Sequence, residues 1–135
     1  MFFLDTNIVI AVMNRRDAVI DLRLQQEIAA GSVLIVPAPV LFELRYGAAR
    51  SQNPARNHER IDAFLTAITE IIAFDDADSR EAGEIRAFLE SQGAPIGPYD
   101  ILIAAQARRR GGVLVTLNRR EFERVPALMV TDWRG

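Results

Sequence analysis

Phe2-Phe3-Leu4-Asp5-Thr6-Asn7 is the stretch on which the fold turns. An apolar run too short for a helix ends on Asp, and Thr and Asn follow. Such residues cap helix N-termini by accepting from otherwise unpaired backbone N–H groups. The stretch therefore reads as a strand that feeds directly into a helix. The same grammar recurs along the chain. Val33 to Val36 is β-branched at three of its four positions and is stopped by Pro37, which predicts a second strand. Pro39 then stands where a first helical turn tolerates proline, and a helix runs from there through Glu43 to about Arg50. Val113 to Thr116 is a further strand, Glu121 to Arg124 a helical turn, and Leu128 to Thr131 a last strand. Between them, Ala18 to Ala30 is a helix closed by Gly31. Asn53-Pro54 opens another, with Ile61, Phe64, Leu65, Ile68 and Ile72 at helical spacing. Ile71 to Phe74 is a short strand. Asp76 to Gln92 and Pro98 to Arg110 are helices ended by Gly93 and by Gly111-Gly112. Strands that alternate with helices predict a parallel sheet covered on both faces. In such sheets the ligand site lies beyond the carboxyl ends of the strands.

Composition narrows the class. The chain has 135 residues, half of them hydrophobic, which is the size and apolar content of one ordinary domain. There is no Cys, so disulfides and thiolate metal sites are excluded, and a reducing compartment fits. No targeting segment is visible. The longest uncharged apolar stretch, Val33 to Phe42, is too short to span a bilayer and contains Pro37 and Pro39. The expectation is a soluble cytoplasmic protein with no membrane partner. The net charge is −2, yet all sixteen basic residues are Arg. Arg108, Arg109, Arg110, Arg119, Arg120 and Arg124 make the C-terminal third locally basic, and Arg suits phosphate geometry.

Against that frame four polar residues stand out. Asp5 follows the first strand, where a plain helix N-cap is the ordinary alternative. Glu43 has Val40, Leu44 and Gly47 at helical spacing, so its carboxylate shares an apolar face. A buried charge needs a cation, a neighbouring Arg or a proton. Asp100 begins a helix whose segment Ile101 to Ala105 is wholly apolar, although a first-turn Asp is also favoured by the helix dipole. Asn118 ends the cluster Thr116-Leu117-Asn118 beyond the fourth strand, where a turn role is the alternative. Crowded carboxylates raise each other's pKa, and a divalent cation removes that penalty. All-oxygen ligands select Mg²⁺ or Mn²⁺ over zinc. The single His, His58, lies in a polar stretch and is no ligand. A carboxylate-held metal suits phosphodiester hydrolysis, since it acidifies bound water and stabilises charge on phosphate.

Four segments together carry a family resemblance. Phe3-Leu4-Asp5-Thr6-Asn7, Val40 to Gly47, Gly97 to Ala105, and Val115 to Phe122 resemble, in order, the motifs of PIN-domain ribonucleases, most closely the VapC-type toxins of type II toxin–antitoxin pairs. The resemblance spans essentially the whole chain, 1–135, as a single PIN domain. It implies a three-layer α/β/α sandwich with a central five-stranded parallel sheet. It implies a Mg²⁺- or Mn²⁺-dependent endoribonuclease in which Asp5, Glu43 and Asp100 are the core acidic residues, supported by Thr6 and Thr116. Asn118 stands where many members carry Asp, and Glu121 three residues on can supply the missing charge. The implied partners are RNA, with tRNA among the substrates of related toxins, a cognate antitoxin that completes a toxin–antitoxin hetero-oligomer, and a second copy in a homodimer. Arg45 and Arg119 are the candidate RNA-phosphate contacts, with the Arg108 to Arg120 region framing the same edge.

Two other readings are weighed. A haloacid-dehalogenase-like phosphatase needs a second Asp two residues after the first, where this chain has Asn7, and it needs a Lys that the chain lacks. A non-catalytic PIN-like module that binds RNA or protein is favoured only by Asn118.

Overall fold

The computed structural model describes residues 1–135. Five short strands form one parallel sheet: β1 (Phe2–Leu4), β2 (Leu34–Pro37), β3 (Glu70–Ile72), β4 (Val113–Val115) and β5 (Met129–Thr131), in the spatial order β3-β2-β1-β4-β5. Helices flank it: α1 (Thr6–Met13), α2 (Ala18–Ala29), α3 (Ala38–Ala49), α4 (Pro54–Leu65), α5 (Asp76–Ser91), α6 (Pro98–Arg109) and the single turn α7 (Arg119–Phe122). The α/β sandwich expected from the alternation is therefore present.

The sheet is apolar at its centre because its inner strands are covered on both faces. Phe3, Leu4, Leu34, Ile35, Val36, Leu114 and Val115 are all buried. They join one continuous core with Ile8, Ile20, Val40, Ile85, Leu89 and Ile103 from the helices. Phe3 lies so close to Gly112 that a Cβ there would sit 2.2 Å from its ring. Gly112 thus admits the ring where the chain turns into β4, whose Val113 N–H donates to the Met1 carbonyl at 3.0 Å.

Two differences from the sequence expectation concern strand ends. Pro37 does not stop β2 but closes it, in register with Ile72 of β3. A proline is tolerated there because β1 pairs with β2 only at Leu34 and Ile35. β3 begins at Glu70 rather than Ile71 and is the outer strand, with Glu70 and Ile71 exposed, so its apolar pattern carries little phase information.

The strand order reverses between β1 and β4. The chain leaves β1 towards β2 and β3, then returns to place β4 on β1's other side, with Leu4 opposite Val115. At such a switch point the connections diverge and leave a crevice beyond the carboxyl ends. Asp5 and Thr116 are the first residues past those two ends. No helix is long and apolar enough to cross a membrane.

Candidate active site

Asp5 is 4% exposed and doubly held. As the N-cap of α1, its Oδ1 accepts from the Thr6 N–H at 2.8 Å. Its Oδ2 accepts from the buried Thr116 hydroxyl at 2.7 Å. Burial drives its pKa up, the bonds from Thr116 and Thr6 oppose this, and the charges of Glu43 and Glu121 push it further up. The net direction is upward: the site holds this carboxylate at a cost.

Glu43 arrives from α3. Its Oε1 accepts from the Thr6 hydroxyl at 2.7 Å. Thr6 therefore serves two carboxylates, Asp5 with its N–H and Glu43 with its Oγ1. The apolar helix face predicted for Glu43 is real, since Val40, Leu44 and Ala48 are buried beside it. The alternative of an Arg salt bridge is not realised, because no Arg pairs with Glu43.

Asp100 enters in the first turn of α6, and Glu121 reaches it from α7. Burial, the Glu121 hydrogen bond and the charges of Asp5, Glu121 and Glu43 together push the Asp100 carboxyl up to about 7. Glu121 moves the other way. Burial works against its ionisation, but bonds from the Gly97 N–H, Asp100 and Asn118 outweigh it and hold the carboxylate below its ordinary range. The Gly97 N–H donates to Glu121 Oε1 at 2.8 Å. A Cβ on Gly97 would stand 3.2 Å from Asp100 Oδ2 and 3.7 Å from Glu121 Oε1, so the glycine makes room for both acids.

Asn118 acts through Glu121. Its side-chain amide donates to Glu121 Oε2, and its backbone N–H donates to the Thr116 hydroxyl at 3.0 Å. Asn7, which the sequence marked only as a capping residue, accepts the Leu117 N–H at 3.2 Å and fastens α1 to the loop after β4. Asn7 and Gly97 are the site residues that sequence reasoning missed. The run Asp5-Thr6-Asn7 held the signal for the first, and Gly97 before Pro98 held a weaker one for the second.

The arginine expectations fare differently. Arg45 turns away to α4, where it meets Asp62 at 2.6 Å, the His58 ring at 3.1 Å and the His58 carbonyl. His58 is half-buried by that contact rather than solvated. Arg119 is about half exposed and pairs loosely with Glu123 and Asp132. Arg108, Arg109 and Arg110 do not frame the carboxylate edge, which corrects the expectation. Arg109 and Arg110 clamp the buried Asp78 at 2.8 Å each, and Arg108 meets Glu81 at 2.9 Å, all on α5. The cause is helix length, since α6 carries its C-terminal end roughly 15 Å away from Asp100.

The donor set is all oxygen: Asp5, Glu43, Asp100 and Glu121, with hydroxyls and one amide behind them. No three of these carboxylates converge into a finished cation cage. The all-oxygen chemistry of the donors is that of a hard ion such as Mg²⁺, which takes one or two carboxylates directly and fills its shell with waters.

The PIN domain family matches residues 2–128. The chain belongs to that family, as a VapC-type toxin. It is similar to the "tRNA(fMet)-specific endonuclease VapC" of Shigella flexneri, 42% identical over 132 residues that cover 98% of this chain and 97% of that protein. "Ribonuclease VapC2" of Haemophilus influenzae is 44% identical over 132 residues, with the same coverage. The structure of VapBC2 from Rickettsia felis bound to a promoter DNA fragment superposes with a TM-score of 0.89 at 33% identity, covering 96% of each chain. Asp5 follows β1, Glu43 lies on α3 and Asp100 in the first turn of α6, each within one of the segments that carry the resemblance. The phosphatase reading falls away with the family.

Proposed function

We propose that residues 1–135 act as one PIN domain, an endoribonuclease that hydrolyses RNA phosphodiester bonds with a Mg²⁺ or Mn²⁺ ion held by Asp5, Glu43 and Asp100. One observation carries this reading. Four acidic side chains from four separate elements, Asp5, Glu43, Asp100 and Glu121, line a single sheet edge, where burial and one another's charge push the Asp5 and Asp100 carboxyls up. Negative charge gathered in this way destabilises the fold unless a cation meets it. A function that needs the cation accounts for its retention.

An ion held there would supply Lewis-acid stabilisation of the phosphate and acidify a water. The chain's own residues do the rest. Thr6 and Thr116 fix Asp5 and Glu43 by hydroxyl donation. Glu121, held by Gly97 and Asn118, supplies the fourth charge that Asn118 lacks and stands beside Asp100. Arg119, exposed and loosely paired, contacts RNA phosphate. Arg45 is engaged with Asp62, which argues against that role for it.

One relative's name supports tRNA as the RNA class, and the VapBC relative supports a cognate antitoxin and a toxin–antitoxin hetero-oligomer, within which a second copy of this chain would complete a homodimer. Against the non-catalytic alternative, Glu121 lies beside Asn118 and offers the charge that Asn118 lacks.

Purified protein freed of any partner should cut total bacterial RNA into discrete fragments with Mg²⁺ or Mn²⁺ and leave it intact with chelator. Mapped fragment ends within tRNA would fix the substrate class. Intact RNA from folded, metal-loaded protein would sink the reading.

A further inference from the structure

Three polar residues spaced three apart, Asn118, Glu121 and Arg124, run through α7 and the turn that follows it. The Asn118 amide donates to Glu121 Oε2. Glu121 Oε1 accepts from the Gly97 N–H at 2.8 Å, and Arg124 Nη1 donates to the Pro95 carbonyl at 3.0 Å. Glu121 and Arg124 therefore grip the loop before α6 at two points, two residues apart. The grip is made from a fixed base, because Phe122 and Val125 of the same turn are buried in the core.

Arg124 has no other task in the fold. It is exposed and forms no ion pair, and its one side-chain bond is the bond to Pro95. A single exposed hydrogen bond adds little to stability, but it can fix a place. The place matters because the two ends of α6 are held differently. At the C-terminal end Arg108 meets Glu81 and the Pro126 carbonyl, and Arg109 and Arg110 meet Asp78. The N-terminal end carries Asp100 and has no side-chain cap. Its ties to α7 are the Gly97–Glu121 and Pro95–Arg124 bonds. Gly97 lies so near Asp100 that a Cβ there would stand 3.2 Å from Oδ2, so a shift of this loop is also a shift of Asp100.

We propose that Arg124 is a positioning residue of the metal centre: by gripping Pro95 it holds the loop where Gly97 meets Glu121, and so keeps Glu121 and Asp100 in place for the ion. It acts through the loop and touches neither the ion nor RNA. The proposal rests on the reading of these acids as the metal-held centre of a ribonuclease. Charge alone predicts the opposite effect. A guanidinium beside a cation site repels the cation, so its removal would tighten metal binding. Weaker binding by a folded variant that lacks it must come through position.

The test measures Mn²⁺ binding to the full chain, freed of any partner and without RNA, from the electron paramagnetic resonance signal of the free ion. Backbone hydrogen exchange over residues 94–97 and anisotropy of a short single-stranded RNA in chelator are read beside it. Wild type should bind Mn²⁺. Arg124→Ala should bind it about tenfold more weakly and exchange faster over 94–97, yet bind the RNA in chelator as wild type does. Arg124→Lys should recover most of the Mn²⁺ affinity, because the bond to Pro95 is a single one and needs no guanidinium fork. Melting curves confirm that each variant is folded.

An Arg124→Ala variant that binds Mn²⁺ as tightly as wild type, or more tightly, overturns the proposal. So does one whose RNA binding falls while its Mn²⁺ binding holds, which would make Arg124 a phosphate contact. In both cases wild type still binds the ion, and the reading of the acids as a metal centre stands. Wild-type protein that binds no Mn²⁺ overturns that reading and the positioning role with it.

Discussion

The Thr116 hydroxyl donates to Asp5 Oδ2 at 2.7 Å and so ties together the carboxyl ends of β1 and β4, the two strands between which the site opens. Thr116 also accepts the Asn118 N–H, so one buried hydroxyl aligns both sides of the crevice. Thr116→Val keeps the shape and removes both bonds. Asp5 then stays buried without that donor, and its pKa climbs further. The expected cost is about 1–3 kcal/mol of stability, read from urea melts, together with a loss of RNA cleavage. A variant as stable and as active as wild type would show that the bond does not hold Asp5.

Asp100 makes the metal-free protein sensitive to pH in an unusual direction. Its pKa is raised in the fold to about 7, so the folded state binds more protons than the unfolded state between the ordinary carboxylate range and neutrality. Stability must therefore fall as pH rises from about 4 to about 7. Asp100→Asn removes the effect. In chelator at pH 8 it should be more stable than wild type by roughly 1–2 kcal/mol, once solvent screening is allowed for. At pH 4.5 the two should be close. Melts across this range check it, and an Asn variant less stable than wild type at pH 8 contradicts the crowding of these acids.

Asp78 works in the opposite sense and in a different place. Burial alone would raise its pKa, but donors from Arg110, Arg109, Gln106 and the Asp75 backbone hold it well below the usual carboxylate range. Its contribution is fully present above about pH 4 and is lost as pH falls below that. Asp78→Asn should cost about 3 kcal/mol in melts at neutral pH. Cleavage per folded molecule should stay unchanged, because the cluster touches none of the active-site acids.

Gly97 separates packing from alignment. Its φ of −58° and ψ of 149° suit any residue, so Gly97→Ala is not strained in its backbone. Its new Cβ would meet Asp100 Oδ2 at 3.2 Å and force that acid to shift by a few tenths of an ångström. Cleavage should fall about tenfold while the melting temperature scarcely moves. Unchanged cleavage would mean that the position of Asp100 is not critical.

These residues also show how far the sequence could be read. β1, β2 and β4 were legible because central strands are uninterrupted apolar runs. β3 was placed a residue late because an outer strand with Glu70 and Ile71 exposed lacks that signal. Asp5 and Thr116 were legible as the residues after strands, and Glu43 as an acid on an apolar face. The approach of Glu121 to Asp100 was not, since it depends on Gly97 lying against both distant segments. Nor was the fate of the Arg run. Adjacency in sequence shows that Arg108 to Arg110 are clustered, but only the antiparallel packing of α5 on α6 shows that Asp78 and Glu81 receive them.

The most direct measurement is the rate of RNA cleavage against Mn²⁺ concentration for wild type, Asp5→Asn and Asp100→Asn, all purified free of partner and shown by melting to be folded. The account predicts saturable, metal-dependent cleavage by wild type and a loss of at least a hundredfold, on the order of 3 kcal/mol in the barrier, in each variant at every Mn²⁺ concentration. Cleavage that persists in either variant, or that proceeds in chelator, would contradict the claim that these carboxylates are the catalytic centre.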